Sequence, residues 1–307
     1  MIRVLVTGAR GQVGTELARE LGARCELTAV DRSTLDLSDG EAIRRRVREI
    51  APQVIVNAGA YTAVDKAESE PELAQAVNGV APGILAEEAR ASGALLVHFS
   101  TDYVFDGSKA GPYVEGDPVA PLSVYGRTKL AGEQAITASG CAHLVLRTSW
   151  VYGPHGKNFM LTMLRLAKDR PELRVVADQR GTPNSSRELA RFVAHVLARG
   201  EALVNEGALD RARRASGIYH ASATGAITWH GFAQAIFEGW ARRAGPAFRI
   251  PSVVPITTAE YPTPARRPAN SVLAAQRFAT VFGIELPDWR AGLEEALDEA
   301  GVRVSSS

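Results

Sequence analysis

The feature that most constrains the fold of this chain is the alternation of short apolar runs with longer segments of helical periodicity. The runs IRVLVTG, CELTAVD, PQVIVNAG, ALLVHFS and HLVLRTSW are rich in Val and Leu and lack strict alternation, as strands buried on both faces do. Helical spacing fills the intervals between them and often stops at a glycine. This order predicts an α/β fold: a doubly wound parallel sheet of the Rossmann type with right-handed crossovers.

The second half of the chain extends this pattern and then departs from it. The run LRVVAD and the segment SSRELARFVAHVLARG predict a sixth strand and its helix. Beyond about residue 200 the composition shifts to loops and to Pro-rich segments such as YPTPARRPANS, which predicts a second, smaller substrate-binding lobe over the strand ends. NFMLTMLRLAKDRPE is interpreted as a helix of that lobe. We expect a dinucleotide-binding domain in residues 1–151 and about 173–215, the smaller lobe in about 152–172 and 216–300, and a flexible tail in 301–307.

Charge and cysteine usage exclude several classes of protein. The formal net charge is +1, which provides no electrostatic footprint for nucleic acid. No apolar run approaches the roughly 18 residues of a membrane span, and the first residues do not resemble a secretory signal. The six histidines lack zinc-binding spacing, so no metal is expected from them. Cys25 and Cys141 lie far apart, as in a protein of the reducing cytoplasm.

A glycine-rich turn follows the first predicted strand. TGARGQVG places Gly8, Gly11 and Gly14 where the backbone must turn tightly and approach a pyrophosphate. The helix that begins near Gln12 offers its N-terminal N–H groups and positive dipole end to the phosphates. The second strand ends at Asp31, about twenty residues further on, where a carboxylate can accept a hydrogen bond from an adenosine ribose. Together these features predict a bound dinucleotide.

The choice between NADPH and NADH stays open from these residues. Asp31 would repel a 2′-phosphate, whereas Arg32 beside it and Arg10 in the glycine turn can bind one. The run NAGAYT after the third strand puts small residues on the path of a dinucleotide, and Asp36 and Leu37 can flank the adenine.

A tyrosine and a lysine lie one helical turn apart in SVYGRTKLAGE. Tyr125 and Lys129 are four residues apart at the start of a predicted helix, so both side chains lie on one face. A fixed cation beside a phenol favours the phenolate and lowers its pKa. The pair therefore predicts a proton donor that is usable near neutral pH.

The fourth predicted strand ends in polar residues. Ser100, Thr101 and Asp102 fall at a carboxyl end, where ligands bind in open parallel sheets. A hydroxyl there can hydrogen-bond a substrate carbonyl oxygen alongside the tyrosine; the alternative for Thr101 is a cap at the strand end. His98 is expected to pack within the strand.

These motifs, in order, resemble the extended short-chain dehydrogenase/reductase superfamily. They are TGARGQVG, NAGAYTAVDKAESEPELAQAVN, STDYVFDG, VYGRTKLAGE, LRTSWVYG and YPTPARRPANS, and they extend from residue 4 to beyond residue 270. Within the superfamily the chain is similar to the dTDP-4-dehydrorhamnose reductase family. TAVDKAESEPE and STDYVFDG are specific to that family.

The resemblance implies a reaction and assigns residues to it. Hydride would pass from NADPH or NADH to C4 of a keto sugar held as a nucleotide-sugar substrate. Tyr125 would protonate the forming alkoxide, Lys129 would hold the nicotinamide ribose and lower the pKa of the tyrosine, and Thr101 would polarise the carbonyl. The positions that match cofactor contacts are Gly11, Gln12, Val13, Asp31, Asp36, Leu37, Ala60, Tyr61 and Thr62.

The resemblance also implies substrate contacts. Asp102 and Trp150 match positions that contact the sugar nucleotide. Arg266 and Arg267 lie in the Pro-rich loop, where they can clamp a diphosphate in bidentate fashion; the alternative is that both are solvated loop charges.

A departure from the family pattern concerns Mg²⁺. Some family members bind Mg²⁺ through glutamates at a homodimer interface, and Glu16 and Glu188 fall near two of those positions. The third position holds Arg290, a cation in place of a ligand, which argues against the metal and leaves the homodimer an open alternative.

Two other functions stay open from the residues alone. The first is a 4,6-dehydratase or 4-epimerase of another nucleotide sugar, but a dehydratase needs an acid and a base beside the threonine, and here Asp102 is followed by Tyr103. The second is a non-catalytic NADP-binding module, because the regulatory subunit of methionine adenosyltransferase resembles the same family.

Overall fold

The centre of the molecule is a six-stranded, fully parallel sheet. Its strands lie in the order β2 (Glu26–Val30), β1 (Arg3–Thr7), β3 (Val54–Asn57), β4 (Leu95–Thr101), β5 (His143–Thr148) and β10 (Gly217–His220). The computed structural model describes residues 1–198 and 203–304. The order reverses direction between β1 and β3, which opens a crevice at the carboxyl ends of those strands. The strands are β1 (Arg3–Thr7), β2 (Glu26–Val30), β3 (Val54–Asn57), β4 (Leu95–Thr101), β5 (His143–Thr148), β6 (Val151–Tyr152), β7 (Glu172–Val176), β8 (Arg180–Gly181), β9 (Asn184–Ser185), β10 (Gly217–His220), β11 (Ile227–Thr228) and β12 (Ser252–Ile256).

Helices cover both faces of this sheet, as the strand composition predicts for strands buried on both sides. One face packs mainly against α1 (Gln12–Leu21), α8 (Ser186–Ala198) and α9 (Glu206–Arg214), and the other against α2 (Gly40–Ile50), α5 (Ala81–Ser92) and α6 (Val124–Ser139). The helices are α1 (Gln12–Leu21), α2 (Gly40–Ile50), α3 (Val64–Ala67), α4 (Pro71–Gln75), α5 (Ala81–Ser92), α6 (Val124–Ser139), α7 (Phe159–Leu166), α8 (Ser186–Ala198), α9 (Glu206–Arg214), α10 (Trp229–Ala244), α11 (Gln276–Phe282) and α12 (Trp289–Val304). No described helix has the length and apolar character to cross a bilayer.

The doubly wound parallel sheet is confirmed, but the predicted sixth strand is wrong. The segment Glu172–Val176 pairs with β12 in a separate two-stranded parallel sheet of the smaller lobe. Its residues alternate between exposed and buried, with Leu173 and Val175 turned inward, which is the pattern of a strand covered on one face only. The sixth strand of the central sheet is the short segment Gly217–His220 beside β5, in a stretch interpreted as loops from composition.

The smaller lobe is built on its own core from α7, α10, α12 and the β7–β12 pair. The helix predicted in NFMLTMLRLAKDRPE is α7, and it packs against α10 there. Because β7 belongs to this core and β10 packs with the central sheet, we propose lobe boundaries near residues 183 and 221. Helix α11, whose Phe278 also packs with the central sheet, then lies outside the core of the smaller lobe.

Helix α12 continues through residues 301–304 to Val304, and the flexibility expected for the tail stays a prediction. Each residue added to an existing helix gains a backbone hydrogen bond without a new nucleation cost, so helices run on past the last patterned residue. Residues 305–307, and residues 199–200 of the predicted SSRELARFVAHVLARG helix, lie outside the described part of the chain.

Candidate functional site

A cleft of about 770 Å³ lies over the carboxyl ends of the parallel strands. Its volume suits a large organic ligand. It brings together most of the site residues expected from the sequence: Gly8, Gly11, Gln12, Val13, Asp31, Asp36, Leu37, Ala60, Tyr61, Thr62, Thr101, Asp102, Tyr125, Lys129 and Trp150. The three predicted residues that do not line this cleft are Gly14, Arg266 and Arg267.

The glycine turn at one end of the cleft is packed too closely for side chains. Gly8 has a φ of +70°, and a Cβ on it would lie 2.6 Å from the Cα of Gly59. Gly11 precedes α1 without a side-chain cap, so the first N–H groups of the helix are left for a ligand. Gly14, behind the turn, lets α1 approach Gly8 and acts through packing.

The end of β2 carries a carboxylate between two arginines. Asp31 accepts hydrogen bonds from the backbone N–H and hydroxyl of Ser33, at 2.8 and 2.6 Å, and the Nε of Arg10 lies 2.6 Å from Asp31 Oδ2. The Ser33 hydroxyl first, and the Arg10 charge after it, lower the pKa of Asp31. Arg32 pairs with Asp36 at 3.5 Å, and both arginines are largely exposed. The Asp31 carboxylate is held in place by these hydrogen bonds, whereas Arg10 and Arg32 are exposed cations beside it.

A π-helical turn (Ala76–Val80) between α4 and α5 positions the middle of the cleft. Such turns are rare in proteins, and those that occur are often found at functional sites. The turn aims Asn78 at the loop after β3: its Oδ1 accepts from the Tyr61 N–H at 2.8 Å, and its Nδ2 donates to the Tyr61 carbonyl at 3.0 Å. The sequence analysis did not assign Asn78, because no spacing or charge marks it.

The first turns of helix α6 carry Tyr125 and Lys129 into the lining of the cleft. Ser123 caps the helix by accepting from the Gly126 N–H at 3.2 Å. A Cβ on Gly126 would lie 2.3 Å from the Tyr103 carbonyl oxygen, so only glycine allows this close approach to the end of β4. The Tyr103 ring then meets the Tyr125 ring edge-to-face at 5.4 Å.

The ionisation of Tyr125 differs from the expectation. Burial raises its pKa to about 12, while a hydrogen bond with Thr101 acts in the lowering direction. The predicted lowering of this pKa by Lys129 is wrong here, and the Lys129 ammonium donates to the Phe99 carbonyl oxygen at 2.6 Å. A phenol with a raised pKa keeps its proton at neutral pH. Tyr125 is therefore an uncharged proton donor at neutral pH.

The cation beside this neutral phenol is Lys129. Lys129 supplies the cation of the pair from a side chain that is 2 % exposed. Burial lowers the pKa of Lys129 to about 8, and the carboxylate of Glu133 acts in the raising direction. Glu133 is itself held by a buried ion pair with Arg147 at 2.7 Å. The site thus combines a neutral acid with a buried cation whose charge is easily lost.

The end of β4 places a hydroxyl and a carboxyl beside Tyr125. Thr101 donates to Asp102 Oδ1 at 2.9 Å and accepts from the Tyr103 N–H at 3.2 Å. Burial raises the pKa of Asp102 to about 6, although hydrogen bonds from Ser271 and Thr101 lower it. Thr101 is therefore both a cap at the strand end, the open alternative, and a side chain of the cleft.

Trp150 lines the far end of the cleft in a strained backbone conformation. Its φ is +45°, which is unusual for a bulky residue. Its indole stacks on that of Trp229, with ring centroids 3.5 Å apart, and a Cβ on Gly181 would lie 2.4 Å from it. Trp229 also lines the cleft, and the sequence analysis missed it because it lies in a helix far along the chain.

The two arginines of the Pro-rich loop lie away from the cleft. Arg267 makes a bidentate ion pair with Asp65, with Nη2 2.8 Å from Oδ2, and also donates to Thr263. Arg266 is exposed. The bidentate geometry predicted for a diphosphate is thus used for a carboxylate in this structure, and diphosphate binding by these arginines stays a prediction.

The glutamates considered for Mg²⁺ have other partners. Glu16 is fully buried, and its oxygens lie 2.9 Å from His155 Nε2 and 3.2 Å from Arg187 Nε. Glu16, His155 and Glu299 bring ligand atoms within 4.8 Å of one another, but Arg187 donates to both carboxylates. A guanidinium therefore already supplies the positive charge at this cluster.

Glu188 and Arg290 hold the other two positions of the expected metal set. Burial raises the pKa of Glu188 to about 7, which favours its uncharged form, and Glu295 adds to the effect. Arg290 is exposed, stacks over Trp289 and lies 3.3 Å from Asp288. An uncharged carboxyl and a guanidinium are both poor ligands for a divalent cation.

Comparison with known proteins identifies the family. Residues 2–302 match the family model described as RmlD substrate binding domain. Proteins named dTDP-4-dehydrorhamnose reductase from Burkholderia thailandensis and Escherichia coli K12 are 49% and 45% identical, over 94% and 97% of this chain and 96% and 98% of theirs. The crystal structure of the Bacillus anthracis dTDP-4-dehydrorhamnose reductase in complex with NADP is 35% identical, with a TM-score of 0.86 over 97% of this chain and all of the other. The chain belongs to the dTDP-4-dehydrorhamnose reductase family.

Proposed function

We propose that this protein reduces the C4 keto group of dTDP-4-dehydro-β-L-rhamnose to give dTDP-L-rhamnose, with NADPH or NADH as the reductant. The observation that carries the proposal is the convergence of Thr101, Tyr125 and Lys129 on the cleft that also holds the glycine turn. Family membership supports the reaction, and the cleft geometry supports the assignment of residues.

The residues at the β1 and β2 end fit a dinucleotide. The crowded turn at Gly8 lets a pyrophosphate approach the backbone, and the uncapped start of α1 after Gly11 leaves N–H donors for it. Asp31 suits a ribose hydroxyl, while Arg10 and Arg32 suit a 2′-phosphate. When bound, the reduced nicotinamide supplies the hydride that the C4 carbon receives.

Each catalytic side chain has a state that suits its role. Tyr125 holds its proton at neutral pH, because burial raises its pKa, and it is the donor to the oxygen at C4. Thr101 orients the carbonyl, and Lys129 holds the nicotinamide ribose and stabilises the phenolate left after the transfer. Thr101 and Lys129 are buried, which strengthens their electrostatic interactions relative to those in water.

The far end of the cleft is the sugar end in this proposal. Asp102 offers a buried carboxyl to sugar hydroxyls, and the Trp150 indole offers an apolar face to a sugar ring. The free, buried thiols of Cys25 and Cys141 support a cytoplasmic location. A homodimer stays a prediction.

The test follows the absorbance of the reduced cofactor at 340 nm. Purified protein receives NADPH, and NADH in a second series, and then dTDP-4-dehydro-β-L-rhamnose. We expect oxidation that depends on the sugar and forms dTDP-L-rhamnose, identified by chromatography. Cofactor binding without oxidation would contradict the proposal and would leave another keto sugar or a non-catalytic binding role.

A further inference from the structure

A chain of buried polar side chains runs from Lys129 across three strands. Lys129 Nζ lies 3.3 Å from His98 Nε2, and the Nδ1 of the same imidazole lies 3.0 Å from Asn57 Nδ2. Thr7 donates to Asn57 Oδ1 at 2.6 Å and accepts from the Gly59 N–H at 3.3 Å. The four side chains are each at most 2 % exposed. They link the lysine to the loop that packs against the glycine turn.

The register of the sheet produces this alignment. Thr7 of β1 lies opposite Asn57 of β3, and Asn57 lies opposite His98 of β4. Residues opposite one another on parallel strands point to the same face. Lys129 reaches the end of this row from α6. Apolar residues could fill the row without any need for polar partners, so four linked polar groups at these positions call for a role beyond packing.

The imidazole is the element of the chain that can adapt. Burial and the charge of Lys129 keep the pKa of His98 well below its ordinary value, so the ring is neutral with one N–H. A neutral imidazole donates from one nitrogen and accepts at the other. It can therefore pair with Lys129 as an acceptor when the lysine is an ammonium, or as a donor when the lysine is an amine.

Both proton arrangements satisfy the links of His98 to Lys129 and to Asn57. With Asn57 Nδ2 toward the ring, His98 Nδ1 accepts, and its Nε2–H donates to an uncharged Lys129. A half-turn of the Asn57 amide presents its oxygen to a His98 Nδ1–H, and Nε2 then accepts from the Lys129 ammonium. In that arrangement Asn57 Nδ2 donates to the Thr7 hydroxyl. In both states each contact of His98 with Lys129 or Asn57 joins one donor to one acceptor.

We propose that His98 is a positioning residue for Lys129: it fixes the lysine against the Phe99 carbonyl in both protonation states, and the Asn57–Thr7 pair anchors it to the Gly59 loop. The proposal rests on the proposed function in that Lys129 is assigned to the nicotinamide ribose. His98 itself touches no substrate. It acts by fixing the lysine's position, which is needed for both cofactor binding and proton transfer.

Three substitutions separate positioning from packing. His98→Gln keeps a polar group near the position of Nε2, where it can pair with Lys129. His98→Asn keeps one near Nδ1, toward Asn57, and loses the contact with the lysine. His98→Leu loses both. The matched control is His143→Gln, because His143 is also a buried strand histidine, and its imidazole bonds to the Cys141 carbonyl and not to Lys129.

The readouts are the dissociation constant for NADPH, measured by fluorescence titration, together with kcat and thermal stability. We expect His98→Leu and His98→Asn to weaken NADPH binding and lower kcat by about tenfold or more, and His98→Gln to stay within about threefold of the natural protein. The control should stay within about twofold of the natural protein in both binding and turnover. If His98→Leu does not fold, the comparison of the Gln and Asn variants decides.

Two results would overturn the proposal. The first is equal NADPH affinity in all three variants. The second is a loss of NADPH affinity that follows the loss of thermal stability and does not depend on whether the contact with Lys129 is kept. NADPH affinity is measured without sugar, so it decides on His98 even where the natural protein fails to oxidise NADPH. That failure would count against the proposed function alone.

Discussion

The carbonyl oxygen of Gly8 lies where a side chain on Gly14 would begin: a Cβ on Gly14 would be only 2.0 Å from it. This contact sets how closely α1 approaches the end of β1. We expect Gly14→Ala to push the helix away from the turn, to lower thermal stability and to weaken NADPH binding by about tenfold or more. Fluorescence titration and thermal unfolding would measure the two effects.

Gly116→Ala is the matched control for this substitution, because no atom outside its chain neighbours lies within 4 Å of a Cβ there. It should leave both quantities nearly unchanged. Natural NADPH affinity in the Gly14 variant would show that the turn does not require the close approach.

A second prediction concerns the two arginines around Asp31. Removing both, as Arg10→Ala with Arg32→Ala, takes away the cations that can face a 2′-phosphate and leaves the Asp31 carboxylate to repel it. We expect the affinity for NADPH to fall roughly tenfold and that for NADH less than about twofold, with the difference shrinking at high salt. Titrations of both cofactors at two salt concentrations would measure it.

Arg46→Ala is the control for charge alone, because Arg46 is an exposed arginine that pairs with Glu49 on α2. It should not separate the two cofactors. An equal loss of NADH and NADPH affinity in the double variant would assign the arginines to the shared part of the dinucleotide.

The parts of the fold that could be predicted are the segments whose apolar composition indicates that they are buried. Of the five short apolar runs of the first half, those that form β3, β4 and β5 are buried along their whole length, whereas β2 lies at the sheet edge and is partly exposed. Glu172–Val176 was assigned to the wrong sheet. A strand covered on one face differs from a strand covered on both faces only in the alternation of polar and apolar residues, and five residues show too little of it. The strand Gly217–His220 carries only four residues and takes its place by pairing with β5, a contact that no local pattern reports.

The candidate site follows the same division. Residues at strand ends and in the glycine turn could be predicted because parallel strands bring their carboxyl ends to one edge. Asn78, Trp229 and His98 could not be assigned, since each reaches the site through tertiary contacts. The pKa of Tyr125 was predicted in the wrong direction, because burial outweighs its neighbours and burial depends on the whole fold.

A third prediction uses the pKa of Asp102. Its folded value of about 6 lies above the ordinary value of 3.8, so the folded protein holds a proton that the unfolded chain has lost between these pH values. The free energy of unfolding therefore falls as the pH rises through this window, and the full cost is present at neutral pH. Asp102→Asn lacks this ionisation and should be more stable than the natural protein at pH 7, by about 2–3 kcal/mol.

Urea unfolding at pH 4 and pH 7 would measure this difference. The advantage of Asp102→Asn should shrink toward pH 4, where Asp102 is protonated in the folded protein and partly so in the unfolded chain. As the control, Asp210→Asn changes an exposed carboxylate and should show little pH dependence relative to the natural protein. A constant stability difference across the range would contradict a raised pKa at Asp102.

The last prediction concerns the proton donor. Tyr125→Phe removes only a hydroxyl, and it leaves the ring in its edge-to-face contact with Tyr103. If Tyr125 delivers the proton, kcat should fall by roughly 10²–10⁴ while the NADPH dissociation constant changes little, because the hydroxyl acts on the oxygen at C4. Single-turnover oxidation of NADPH, together with fluorescence titration, separates the two quantities. Tyr261→Phe, which alters an exposed phenol outside the cleft, should keep natural turnover. Unchanged turnover in the Tyr125 variant would move the donor role to another group, with Asp102 the first to test, since its raised pKa leaves part of its carboxyl protonated near pH 6.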